Sequence, residues 1–271
     1  MKLNNKRTIL VGLAFLSICA FWQMYDNIVP LILTRTFHMN ETISGLIMAA
    51  DNILALFLLP FFGSLSDRTN TKIGKRMPFI LFGTGCAIIL MNLLPLIENS
   101  YYAAPSMAKT VSFIIVLGLL LIAMGTSRSP AVALMPDVTP KPLRSKGNAI
   151  INLMGAVGGI LYLAITSVLY SQSRLEAIEA AGGRVNYQPL FIVGSAIMFV
   201  AVAVLFLTIR EPKLTAENQA LEKQHPEWNL AQDDGSGHET LPKPVKKSLG
   251  FLLASIALWF IGYNGVTTWW T

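Results

Sequence analysis

The sequence predicts an all-α integral membrane protein, and three observations carry that prediction. Of 271 residues, 53% are hydrophobic and only 13% charged, with a mean hydropathy of +0.54. Soluble domains carry about 25% charged residues, so this chain lacks the polar groups to cover a water-facing surface. Apolar runs of about 20 residues, enough to cross some 30 Å of hydrocarbon as helix, recur six times. Lysine and arginine gather in alternate loops. The composition excludes a disulfide scaffold and a disordered chain. The net charge of +6 reads as a topology signal, so no nucleic-acid partner is expected. Cys19 and Cys86 both lie in apolar runs, and neither a metal site nor a cofactor is implied.

The six runs cover 8–33, 43–65, 78–97, 111–135, 148–170 and 190–209, and a seventh opens at 248 and is still apolar at 271. Their apolar character is continuous, without the alternation of barrel strands. The first is too long for a cleaved signal and contains Trp22, Gln23 and Asp26. Of the 21 lysines and arginines, only Arg35, Lys109, Arg174 and Arg184 fall on one side and Arg128 within a span; the other sixteen share the N-terminal side. That bias predicts a multi-pass protein of the cell membrane with a cytoplasmic N-terminus. The expected organisation is a six-helix domain over 1–210, a solvated cytoplasmic linker over 211–247, and the first helix of a second half over 248–271. The linker carries Glu217, Glu222, Asp233, Asp234, Gly235 and Gly237 and shows no apolar period. Placing Gly250 on Gly12 aligns Ser255 with Ser17, Ile256 with Ile18, Tyr263 with Tyr25 and Asn264 with Asp26, which fits a repeated half.

Ionisable residues inside spans are costly and mark function. Three are expected: Asp26, Asp51 and Arg128. Counting from span centres puts the two carboxylates at similar depth and Arg128 about 12 Å below Asp51. Two acids at one depth repel when both are ionised, which recruits a cation or a proton. Asp26 and Asp51 are therefore the candidate cation-coupling residues, and Arg128 is a counter-charge or a donor to substrate. Around Asp26, Trp22, Gln23, Tyr25 and Asn27 combine rings with amides, which suits a polyhydroxylated ligand; an interfacial aromatic belt is the competing reading. Asn52, Asn148 and Asn152 extend the candidate set. Gly155 and Gly159 share one helix face and read as close helix packing.

The loop between spans two and three reads Gly63-Ser-Leu-Ser-Asp67-Arg68, then Gly74-Lys75-Arg76-Met-Pro78. This glycine–acid–basic–glycine–basic–basic pattern resembles the signature loop of the major facilitator superfamily. The resemblance implies the six-helix N-terminal half of that fold plus the start of a seventh helix. It also implies that Gly63, Asp67, Arg68, Gly74, Lys75 and Arg76 form a conformational latch. The longer spacing, with Tyr25-Asp26-Asn27, Asp51, the stretch from Arg128 to Asp137 and that from Arg144 to Asn148, resembles the sucrose:proton and glycoside–pentoside–hexuronide:cation symporters. Those relatives place intramembrane acids on spans one, two or four, and the body of span four here has none, which favours protons over sodium.

The expected function is a cation-coupled sugar or glycoside symporter working by alternating access between two halves. The chain is expected to be cut short, its partner being the missing C-terminal half. An exporter of drugs or metabolites, or a non-transporting sensor on the same half-fold, are the alternatives. An enzyme is not expected: no nucleophile–base set or phosphate loop is present, and His38, His225 and His238 lie outside the spans.

Overall fold

The computed structural model describes residues 3–181, 183–230 and 243–269. Among these, six helices are long and apolar enough to cross a membrane. They are α1 (Asn5–Leu31, running on through a π-helical turn at Ile32–Thr36), α2 (Glu41–Arg68), α3 (Met77–Ala103), α4 (Met107–Val138), α5 (Arg144–Leu169) and α7 (Gln188–Thr208). A short α6 (Gln172–Ala180) lies between α5 and α7, and α8 (Glu211–Gln224), α9 (Glu227–Leu230) and α10 (Lys243–Trp269) follow. Each spanning helix outruns its predicted run by several residues in at least one direction, except α7, because capping and polar end turns carry no hydropathy signal. Asn4 and Asn40 supply such caps: their side-chain oxygens accept the N–H of Arg7 at 3.1 Å and of Thr42 at 2.9 Å.

The chain divides into two compact units, one up to Leu221 and one from Glu222. In the first, α1 packs on α5 and α7, α3 on α4 and α7, and α2 chiefly on α4. One apolar cluster gathers Phe21, Met24, Tyr25, Met91, Phe113 and Phe191, and a second gathers Val11, Met77, Leu134 and Leu205. α2 has few buried residues and leaves Leu46, Leu56 and Phe57 about two-thirds exposed, as a helix facing lipid or another domain does. In the second unit, α10 begins at Lys243, ahead of the run predicted from 248, and its side chains described to Gly262 are exposed.

The α1–α5 seam is closed by glycines. A Cβ at Gly155 would meet Cys19 Sγ at 2.9 Å, and one at Gly158 would run into the Leu16 backbone. The tightest position is thus Gly158, beside the Gly155–Gly159 face singled out from sequence.

Two sequence expectations need correction. Residues from 211 onward are not solvated throughout: Glu211 is buried and α8 carries the first unit on to Leu221. Nor do the membrane helices hold only three ionisable groups. α3 continues past its predicted end, and Glu98, one residue beyond that limit, is 0% exposed. Asp233, Asp234, Gly235, Gly237, Lys2, His238, Thr271 and the side chains of Lys243, Tyr263 and Asn264 lie outside the described residues.

Candidate substrate and coupling site

Positions 22 and 26 fall on one face of α1, and 23 and 27 on the next, as the 3.6-residue period requires. Trp22 stands edge-on to both Phe21 (5.2 Å) and Tyr25 (5.4 Å), with Phe21 and Tyr25 buried behind it. This fixed ring carries the Arg128 guanidinium of α4 over its face, 5.3 Å from the centroid. Asp51 of α2 lines the same small hollow as Trp22 and Arg128, between Leu54, Leu58 and Gly125. Its Oδ1 accepts the backbone N–H of Asn52 at 2.6 Å and the Asn52 amide at 2.8 Å. The depth estimate that set Arg128 well below Asp51 is corrected: the long arginine stem spans distance that a residue count omits.

The other candidates divide. Asp26 is exposed and lies within electrostatic reach of Asp51 without lining the hollow. Asn27 Nδ2 donates to the Gln23 carbonyl at 2.7 Å and to Gln23 Oε1 at 3.3 Å, and this pair faces α5 at Gly159. Asn152 donates to the Asn148 carbonyl at 2.9 Å; both are exposed on α5, away from the hollow. The structure therefore joins Trp22, Asp51, Asn52 and Arg128, and sets Gln23 with Asn27 and Asn148 with Asn152 as separate pairs.

At the end of the bundle that holds the α2–α3 loop, Arg76 is 4% exposed and gathers the loop around it. Its Nε donates to Asp137 Oδ2 at 2.8 Å, its Nη2 to Asp67 and its Nη1 to Ser66. Lys75 Nζ reaches the same Asp137 oxygen at 3.2 Å. Gly74 turns the chain with φ of +119°, a conformation that favours glycine, packed against the Glu211 side chain. Gly63 lies so close to α4 that a Cβ there would meet Ser129 Oγ at 2.8 Å. Arg68 is exposed at the end of α2.

Three participants went unassigned from the sequence. Asp137 was visible only as the acid at the end of span four. Glu211 accepts the backbone N–H groups of Lys75 (2.8 Å), Arg76 (2.9 Å) and Met77 (2.8 Å), capping α3 from far along the chain. Its signal was an acid followed by proline straight after an apolar run. At the opposite end, Glu98 Oε1 accepts the Thr36 hydroxyl at 2.9 Å and pairs with Arg184, whose guanidinium lies 4.4 Å over the Tyr102 ring. Burial pushes the nearby Tyr187 phenol above its ordinary pKa; Arg35 pulls it down, Glu98 adds to the rise, and Arg184 opposes it.

A family model described as the Major Facilitator Superfamily matches residues 11–271. The chain belongs to this superfamily. It is a membrane transporter family, and its members are not enzymes. Among curated proteins, Sucrose transport protein SUC3 of Arabidopsis thaliana is 31% identical over 139 residues, 47% of this chain and 23% of that protein. Sucrose transport protein SUT3 of Oryza sativa subsp. indica is 28% identical over 141 residues, 47% of this chain and 28% of that protein. The match thus spans about a quarter of the length of these relatives. No solved structure matches the chain.

Proposed function

We propose that this chain is the N-terminal part of a proton-coupled sugar or glycoside symporter of the cell membrane, its N-terminus cytoplasmic. The observation that carries the reading is the hollow shared by Asp51, Arg128 and Trp22. When Asp51 is ionised, Arg128 balances its charge; when Asp51 takes a proton, the guanidinium is released to a substrate hydroxyl. Protonation and sugar binding then favour the same state, which is the condition for coupling. The Trp22 ring offers an apolar face to the CH side of a sugar, and the Gln23–Asn27 pair offers hydroxyl partners. Asp26, within reach of Asp51, tunes how readily that site holds positive charge.

Proton over sodium rests on α4, whose only acid, Asp137, is occupied by Lys75 and Arg76 at the helix end. A second six-helix half closes the cavity and rocks against the first. The Arg76 cluster with Gly63, Asp67, Gly74 and Lys75 is the latch on the cytoplasmic face, and Arg68 is free to meet the facing half. The similarity to sucrose transport proteins supports the sugar class.

Radiolabelled sucrose uptake into proteoliposomes carrying the whole transporter, this chain with its second half, tests the reading. Uptake follows an inward proton gradient and collapses with a protonophore. Uptake that survives collapse of both proton and sodium gradients would remove the symport reading.

A further inference from the structure

Gly159 is the one glycine of the described α1–α5 seam whose Cβ would meet a polar side chain. Built there, a methyl would stand 3.1 Å from Gln23 Cγ and 3.5 Å from Gln23 Nε2. Gly155 and Gly158 instead oppose Cys19 and the Leu16 backbone, and Gly12 opposes Met154. A methyl at position 159 would press on Gln23 Cγ and touch the amide, so the space there sets how closely the Gln23 stem lies against α5.

That amide is already half engaged. Asn27 Nδ2 donates to both oxygens of Gln23, the carbonyl at 2.7 Å and Oε1 at 3.3 Å. Gln23 Nε2 keeps its N–H donors, and Asn27 Oδ1 keeps its acceptor lone pairs, with no partner for either among the described residues. Both side chains are half-buried, and neither free atom is fully buried, so both stay within reach of a ligand. A free donor beside a free acceptor on one tied pair matches a hydroxyl, which accepts one hydrogen bond and donates another. A ligand lacking that hydroxyl leaves both atoms unpaired, which is how a built polar site rejects an analogue.

We propose that Gly159 is a positioning residue for substrate selection, holding the Gln23–Asn27 amide pair as a reader of a single hydroxyl on the sugar. The inference rests on the sugar reading given above.

Equilibrium binding of tritiated sucrose to the purified whole transporter, this chain together with its second half, in nanodiscs, competed by a panel of monodeoxy sucroses, tests it. The native chain discriminates against at least one deoxy position by about tenfold, the loss of one hydrogen bond. In Gly159→Ala, sucrose binds about tenfold more weakly and discrimination at that position disappears. Gln23→Ala, which keeps the glycine seam, removes the same discrimination. Gly85→Ala, whose Cβ would meet nothing within 4 Å, leaves the whole panel unchanged. Discrimination that persists in Gly159→Ala or Gln23→Ala, or that also falls in Gly85→Ala, overturns the assignment of Gly159. Absence of sucrose binding by the native whole transporter overturns the sugar reading itself, and this inference with it.

Discussion

The Glu211 carboxylate accepts the backbone N–H of Arg76 at 2.9 Å, tying the start of α8 to the start of α3 across 135 positions of sequence. The same carboxylate takes the N–H groups of Lys75 and Met77, so a single side chain satisfies donors that a helix start leaves open.

Removing that acceptor leaves the three N–H groups without a partner in a site where Glu211 is 1% exposed. Glu211→Ala is expected to destabilise the first unit by about 2–3 kcal/mol. At roughly 3 °C per kcal/mol for a chain of this size, the unfolding midpoint falls by about 6–9 °C. Differential scanning fluorimetry in detergent checks this. An unchanged midpoint would show that water replaces the carboxylate without penalty.

Asp51→Asn keeps the size and the bonds to Asn52 but cannot exchange a proton. Sucrose uptake by this variant is expected to lose its dependence on the proton gradient, while exchange of labelled for unlabelled sucrose persists. The test compares both rates in the same proteoliposomes. A variant that still accumulates sucrose against a gradient would take Asp51 out of the coupling step.

The Glu98–Arg184 pair calls for a double-mutant cycle. Glu98 is fully buried and Arg184 about four-fifths so, and removing one partner leaves a buried charge alone. Glu98→Gln is expected to destabilise by about 3 kcal/mol, and Glu98→Gln combined with Arg184→Gln by distinctly less. A loss in the double variant equal to the sum of the losses of Glu98→Gln and Arg184→Gln alone would mean the pair does not couple.

The raised Tyr187 phenol sets an alkaline limit. A folded-state pKa above the unfolded value of 10.0 means the folded chain holds the proton more tightly, so this contribution is complete below pH 10 and declines as pH rises through the folded pKa. Tyr187→Phe is expected to flatten the fall in stability above about pH 10, followed by unfolding midpoints across an alkaline series. A slope identical to that of the native chain contradicts the assignment.

The membrane helices were legible because hydropathy acts on long stretches: each predicted run lies on a described helix, even where its ends were off. Glu98 was missed for the same reason, since a window that ends where apolar residues end stops one residue short of it. Arg128 was legible as a charge inside a span, yet its place in the hollow with Asp51 depended on side-chain reach and not on depth. Asn148 and Asn152 were grouped with the site by residue type alone, and they are exposed on α5 without lining the hollow. Glu211 was hidden in a polar segment because its partners are backbone N–H groups, which no side-chain pattern announces.

At Gly158 the nearest atoms across the seam are those of the Leu16 backbone, so at that one crossing no side chain stands between the two helices. A larger residue at this crossing has no flexible neighbour to push aside, so it lifts one backbone off the other and opens the seam along which Cys19 and Gln23 meet α5.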